Sequence, residues 1–143
     1  MKLLSIAFIM FFVNPKPIPW EKDFVKATTI AVTKKQNILL NFSGSDWCGY
    51  CQEMHKKIIG TDAFINYAID NLVLVNADFP NRKKNKLPTA LALQNKRLAA
   101  KYNPNGVFPL TVLLNADGVV LKKWEGLPRV KTAAFISELK AVK

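Results

Sequence analysis

The chain has 143 residues and half of them are hydrophobic, which suits one domain with a buried core and excludes a disordered segment. Its 21 Lys and Arg against 10 Asp and Glu give a net charge of +11, a balance that would suit nucleic acid or an anionic membrane surface. The cations are spread over several segments, and the densest run, Asn81-Arg82-Lys83-Lys84-Asn85-Lys86, has no aromatics to stack bases. A solvated basic surface is therefore the expectation, and nucleic acid is not an expected partner.

Residues 1–19 read as a secretory signal followed by a proline-rich linker. Lys2 precedes an apolar run from Leu3 to Val13. As a helix those eleven residues span roughly 17 Å, short of the roughly 30 Å hydrocarbon core of a bilayer. A signal peptide fits better than a membrane span and points to an exported, for example periplasmic, protein. Val13-Asn14-Pro15 lacks a small-x-small cleavage pattern, so cleavage between 13 and 19 and retention as a signal anchor both stay open, as does peripheral membrane association. Asn14-Pro15-Lys16-Pro17-Ile18-Pro19 is the linker, and residues 20–143 form the domain.

Trp20, Phe24, Ala27, Ala31 and Val32 recur at helical spacing and predict a helix from Trp20 to about Lys35. Ile38 to Phe42 predicts a strand buried on both faces. Ser43-Gly44-Ser45-Asp46 follows as a turn and candidate helix cap, and a helix runs from Cys48 to about Ile59. Gly60-Thr61-Asp62 breaks it, and residues 63–69 form a short helical turn. Leu72 to Asp78 is a second buried strand, and Pro88 opens a helix that reaches Tyr102. Phe108 to Leu114 and Val119 to Trp124 are strands joined by the tight turn Asn115-Ala116-Asp117-Gly118. Val130 to Val142 is a closing amphipathic helix. The order α-β-α-β-α-β-β-α implies an α/β fold: a parallel βαβ half, then an antiparallel hairpin, with helices on both faces of a four-stranded mixed sheet.

Cys48 and Cys51 are the only cysteines, spaced C-x-x-C. A metal site is short of ligands, because the chain offers one histidine, His55, and no second cysteine pair. His55 is then an exposed helix residue, and no metal is expected. A purely structural staple gains little, since a disulfide closing four residues stabilises by only about 2 kcal/mol against about 3 for a fifteen-residue loop. A redox couple fits its place: C-x-x-C directly after a buried strand, at the start of a helix in a βαβ pattern. At a helix N-terminus Cys48 meets free N–H groups that stabilise a thiolate, and Cys51 lies one turn deeper, within disulfide reach.

Asn41-Phe42-Ser43-Gly44-Ser45-Asp46-Trp47-Cys48-Gly49-Tyr50-Cys51 and Val107-Phe108-Pro109-Leu110-Thr111 resemble motifs of the thioredoxin superfamily, and the wording around Trp47-Cys48-Gly49-Tyr50-Cys51 looks like its exported bacterial members. The resemblance covers about residues 20–143 and implies the thioredoxin fold. It implies that Cys48 attacks and Cys51 resolves, that Pro109 is a cis-proline facing the disulfide with Phe108 just before it, and that Trp47, Gly49 and Tyr50 shape the site. It also implies protein thiols and disulfides as substrates, a further redox partner, and no cofactor, because the cysteine pair holds the electrons.

Two departures from the family stand out. Asn41 occupies the nearest equivalent of the family's buried Asp, with one extra residue before the motif, and Leu74 replaces the Lys that partners it. The expectation is a thiol–disulfide oxidoreductase, reductase or isomerase. The alternative is a binding or chaperone module of the same fold whose disulfide is passive.

Overall fold

The structure, a computed structural model, describes residues 20–142. The leader and linker expected over 1–19 lie outside the described residues.

Helix α1 spans Phe24–Lys34. It starts at Phe24 rather than Trp20 because Asp23 caps it: the carboxylate accepts the N–H groups of Val25 and Lys26 at 2.9 and 3.1 Å. The four residues that the periodicity adds before α1, 20–23, are used otherwise. Glu21 N–H donates to Leu74 O at 2.8 Å, extending the sheet edge by one bridge. Lys35 ends α1 in the left-handed conformation. Ala27 and Ala31 are buried, whereas Val32 is exposed.

Strand β1, Asn37–Ser43, leads into helix α2, Gly49–Met54, which continues as a π-helical turn over His55–Ile59. The short turn expected over 63–69 is a full helix, α3, Asp62–Asn71, capped by the Thr61 hydroxyl. Strand β2 is Leu72–Asp78, followed by a 3-10 turn at Lys83–Asn85 and helix α4, Thr89–Tyr102. Strands β3, Leu110–Leu114, and β4, Val120–Glu125, form the hairpin, and α5, Thr132–Lys140, closes the described chain. Phe108 is not in β3, whose regular pairing starts at Leu110, and the Phe108–Pro109 peptide bond is cis. The Asn115 carboxamide oxygen accepts the N–H groups of Asp117 and Val119, and Gly118 takes the positive φ that the hairpin turn needs.

The sheet order is β2-β1-β3-β4, with β1 and β2 parallel and the other pairs antiparallel. The parallel half and the antiparallel hairpin are as expected, and β1, paired with both β2 and β3, joins them. One face meets α1 and α4: Ile38, Leu40 and Phe42 of β1, Val73, Val75 and Ala77 of β2, and Leu110, Val112 and Leu114 of β3 are all buried there. The other face meets α2, α3 and α5 through Leu39, Leu72, Leu74 and Leu113, packed on Met54, Ile58, Phe64 and Phe135. On that face the apolar pattern stops partway. Asn41, Asn76 and Thr111 follow the leucines at period 2, and Ser43 and Asp78 come next. That polar end is where β1 hands the chain to the C-x-x-C segment.

Candidate active site

Cys48 and Cys51 are joined by a disulfide, with Cα atoms 5.2 Å apart. Cys48 itself is the N-cap of α2, and its Sγ accepts the Cys51 N–H at 3.1 Å. The Ser43–Asp46 stretch therefore does not cap this helix. Ser43 completes β1, and Asp46 is used elsewhere because the turn between strand and helix is longer than a simple cap. Cys48 N–H donates to Gly44 O at 2.9 Å to close that turn. Gly44 is required by space: a Cβ there would overlap the Trp47 indole. Both half-cystines are buried in this oxidised state, Cys48 at 6 % and Cys51 at 5 % exposure.

The residues around the pair form two layers. Outside, Trp47 is 50 % exposed and Tyr50 is 68 % exposed. The Trp47 indole N–H donates to Phe79 O at 2.7 Å. Its ring meets Phe108 edge-on at 5.4 Å, and Phe108 meets Phe79 at 5.5 Å. Pro109 is buried one residue before the Phe42–Leu110 pair, at the end of the sheet from which the motif departs. Gly49 points into open space, where an added Cβ would meet nothing, so its lack of a side chain is not a steric need.

Inside, Cys51 lines a cavity of about 430 Å³ that it shares with Asn41, Ser43, Asn76, Asp78 and Asn95, while Trp20, Glu21 and His55 also border it. His55 is exposed, as expected, with its ring 6.4 Å from Trp20. Asn41 does lie on the Cys51 side of the sheet. Its partner is Asn76, not the residue at Leu74. The register sets Asn41 opposite Asn76 and Leu39 opposite Leu74, so Leu74 falls in the apolar core one rung away. Thr111 Oγ–H donates to Asn41 Oδ1 at 3.3 Å, and Asn41 Nδ2–H donates to Asn76 Oδ1 at 3.1 Å. Asn41 and Thr111 are buried and Asn76 is half-buried; the three are hydrogen-bonded through Asn41 and include no titrating group.

Sequence reasoning missed Asn76, Asp78 and Asn95 as part of the site. The signal was present in β2, where Asn76 and Asp78 alternate with Val75 and Ala77, but the segment reads first as a buried strand. Reasoning also missed two acidic anchors. The Asp78 carboxylate accepts from Ser45 N–H at 2.9 Å and Ser45 Oγ at 2.6 Å, tying the motif turn to β2. The Asp46 carboxylate accepts from the N–H groups of Asn81 and Arg82 at 2.8 and 3.0 Å and from Asn85 Nδ2 at 2.8 Å. The Asn81 N–H bond is the main reason the Asp46 pKa lies below its ordinary 3.8. Nothing local in sequence marks these contacts, because they span 33 to 39 residues.

Comparison with known proteins agrees with this arrangement. Residues 24–143 match the model of a thioredoxin-like domain family. The disulfide bond reductase DsbH of Chlamydia pneumoniae is 32% identical over 124 residues, covering 87% of this chain and 72% of that protein. A solved structure of a DsbH oxidoreductase superposes with a TM-score of 0.81 at 28% identity, covering 99% of this chain and 92% of the other. A thioredoxin from Thermus thermophilus shares the fold, with a TM-score of 0.62 at 18% identity over 87% of this chain and 86% of that one.

Proposed function

We propose, from the premise that this chain belongs to the thioredoxin-like family and is a thiol–disulfide oxidoreductase, that it works as a reductase of protein disulfides outside the cytoplasm. The observation that carries the roles is the position of Cys48 Sγ, which sits in the N-cap position of α2 and accepts the Cys51 N–H. In the reduced protein the same N–H groups favour a thiolate there.

The cycle follows from that placement. The Cys48 thiolate attacks one sulfur of a substrate disulfide. A Cys48–substrate disulfide forms, the substrate S–S bond breaks, and the second substrate sulfur leaves as a thiolate that takes up a proton. Cys51, deprotonated, then attacks Cys48 Sγ. The intramolecular disulfide forms and the first substrate sulfur leaves, also to be protonated. Two electrons pass from the pair to the substrate, and an external dithiol must return them. Trp47, Tyr50 and Phe108 form the surface on which the substrate chain lies, the buried Pro109 shapes it from next to Phe108, and Gly49 leaves it open beside Cys48.

The direction, reduction rather than oxidation or isomerisation, draws support from the name of the DsbH relative. Export draws support from Lys2 and the apolar run Leu3–Val13. We take residues 1–19 as the leader and linker and 20–143 as the working domain.

The test is reduction of insulin in the presence of dithiothreitol, together with trapping. The protein should hasten the turbidity, and Cys51→Ser should accumulate mixed disulfides that Cys48→Ser does not. An unchanged turbidity time would favour a binding module with a passive disulfide. Equal trapping by the two variants would reverse or erase the assigned roles. A redox titration of the pair against glutathione then fixes the direction: a poise more oxidising than the glutathione couple would defeat the reductase reading.

A further inference from the structure

We propose that the groove between the 79–87 loop and the first turns of α4 docks an acidic segment, carrying an apolar side chain, that flanks the reactive cysteine of a protein substrate. This rests on the oxidoreductase reading and adds a substrate class to it.

The groove, about 480 Å³, has Pro80, Leu87 and Leu93 among its walls, and Leu93 stays 48 % exposed although it is a large aliphatic side chain on a regular helix. Four cations border it: Arg82, Lys83 and Lys86 from the loop and Lys96 from α4. Among the described residues none of the four has a carboxylate within 4 Å; the three ion pairs there use Lys26, Lys57 and Lys122. The one acidic residue of the lining, Asp78, has its carboxylate engaged by Ser43, Ser45 and the Phe79 N–H. The groove therefore sets four cations against one carboxylate, Asp78, and presents net positive charge beside apolar walls. An extended peptide with Asp or Glu beside a Leu or Phe fits both properties.

Its position links it to the redox pair. Phe79 is at once part of the groove and part of the Trp47–Phe108–Phe79 aromatic row beside the disulfide. The loop is fastened to the two residues that precede Cys48. Asp46 holds the N–H groups of Asn81 and Arg82, and the Trp47 indole holds Phe79 O. The basic rim is thus held in a fixed place relative to the reacting sulfur, and a substrate chain leaving the site over Trp47 and Phe108 runs onto it.

The experiment uses two synthetic peptides bridged by one disulfide, identical except that one has Glu-Leu-Asp and the other Ser-Leu-Ser beside the attacked cysteine. The intact protein should reduce the acidic peptide about tenfold faster in kcat/KM at low salt, with the preference shrinking toward unity near 1 M salt. Lys83→Glu/Lys86→Glu should abolish the preference, whereas Lys34→Glu/Lys35→Glu, the same charge change at the end of α1, should keep it. Lys96→Glu, across the groove on a regular helix, should also weaken it and serves if the loop variant is poorly folded. Equal rates on both peptides, or equal losses from the groove and α1 variants, would overturn the docking site while leaving the oxidoreductase reading intact. Reduction of neither peptide would overturn both. Retention on anionic vesicles or duplex DNA without any peptide preference would replace the peptide by another polyanion and overturn the assignment.

Discussion

The two faces of the sheet are built from alternate residues of the same strands, yet they have different jobs. Toward α1 and α4 every inward position of β1, β2 and β3 is apolar from one end to the other. Toward α2, α3 and α5 the leucines cover half the strand length and then give way to Asn41, Asn76 and Thr111, with Ser43 and Asp78 beyond. The first face supplies burial alone. The second trades burial for a hydrogen-bonded polar row under Cys51. Such a row is tolerated inside a protein because each amide and hydroxyl finds a partner, and no buried side-chain polar atom among the described residues lacks one. The difference shows where the fold stops maximising stability and starts building a site.

The largest expected effect lies on the apolar face. Leu40→Ala should cost about 2–5 kcal/mol in chemical denaturation, the range for a fully buried leucine, and leave the reduction potential of the pair unmoved. A shifted potential in that variant would mean that the two faces are not separable.

Next comes the polar row. Asn41→Leu strips the buried Thr111 of an acceptor, at about 1–3 kcal/mol for a group left unpaired in the interior, and the half-buried Asn76 of a donor at a smaller cost. If the variant is as stable as wild type, the row is not the structural device described here. Asn41→Asp sharpens the point with pH. Desolvation raises the pKa of a buried carboxyl, so the unfolded chain would ionise first and stability should fall as pH rises past about 3.9. The reduction rate should gain a pH step that wild type lacks. Identical pH–rate curves for the two proteins would remove Asn41 from the vicinity of Cys51.

At the rim of the polar end the effects are smaller. Asp46 has a lowered pKa in the folded state, so the stability its hydrogen bonds contribute is present above its ordinary 3.8 and is lost as pH falls through the lower folded value. Thermal melts between pH 5 and pH 2 should therefore fall more steeply for wild type than for Asp46→Asn. Parallel curves would show that the carboxylate does not hold the 81–85 loop. Smallest of all, Gly49→Ala should change stability by no more than about 0.5 kcal/mol, because a Cβ there meets nothing. A larger loss would mean that the outer layer is tighter than its exposure indicates.

Much of this was legible in the sequence because it depends on local rules. Short apolar runs and turn chemistry marked the strands, the period-3.6 apolar residues marked the helices, and Trp47-Cys48-Gly49-Tyr50-Cys51 after a buried strand marked the redox pair and its family. Helix ends were less legible. Asp23 moved the start of α1 because one side-chain oxygen competes for two backbone N–H groups, and Thr61 made a full helix of a segment that read as a turn. What only the tertiary structure decided is which polar residues meet. The parallel register sets Asn41 against Asn76 rather than Leu74, the motif turn brings Ser45 to Asp78, and Asp46 reaches across 35 residues to the basic loop. The physical reason is that a strand's period tells which face a side chain takes, whereas the neighbour it finds there is set by strand order and register, which no single segment encodes.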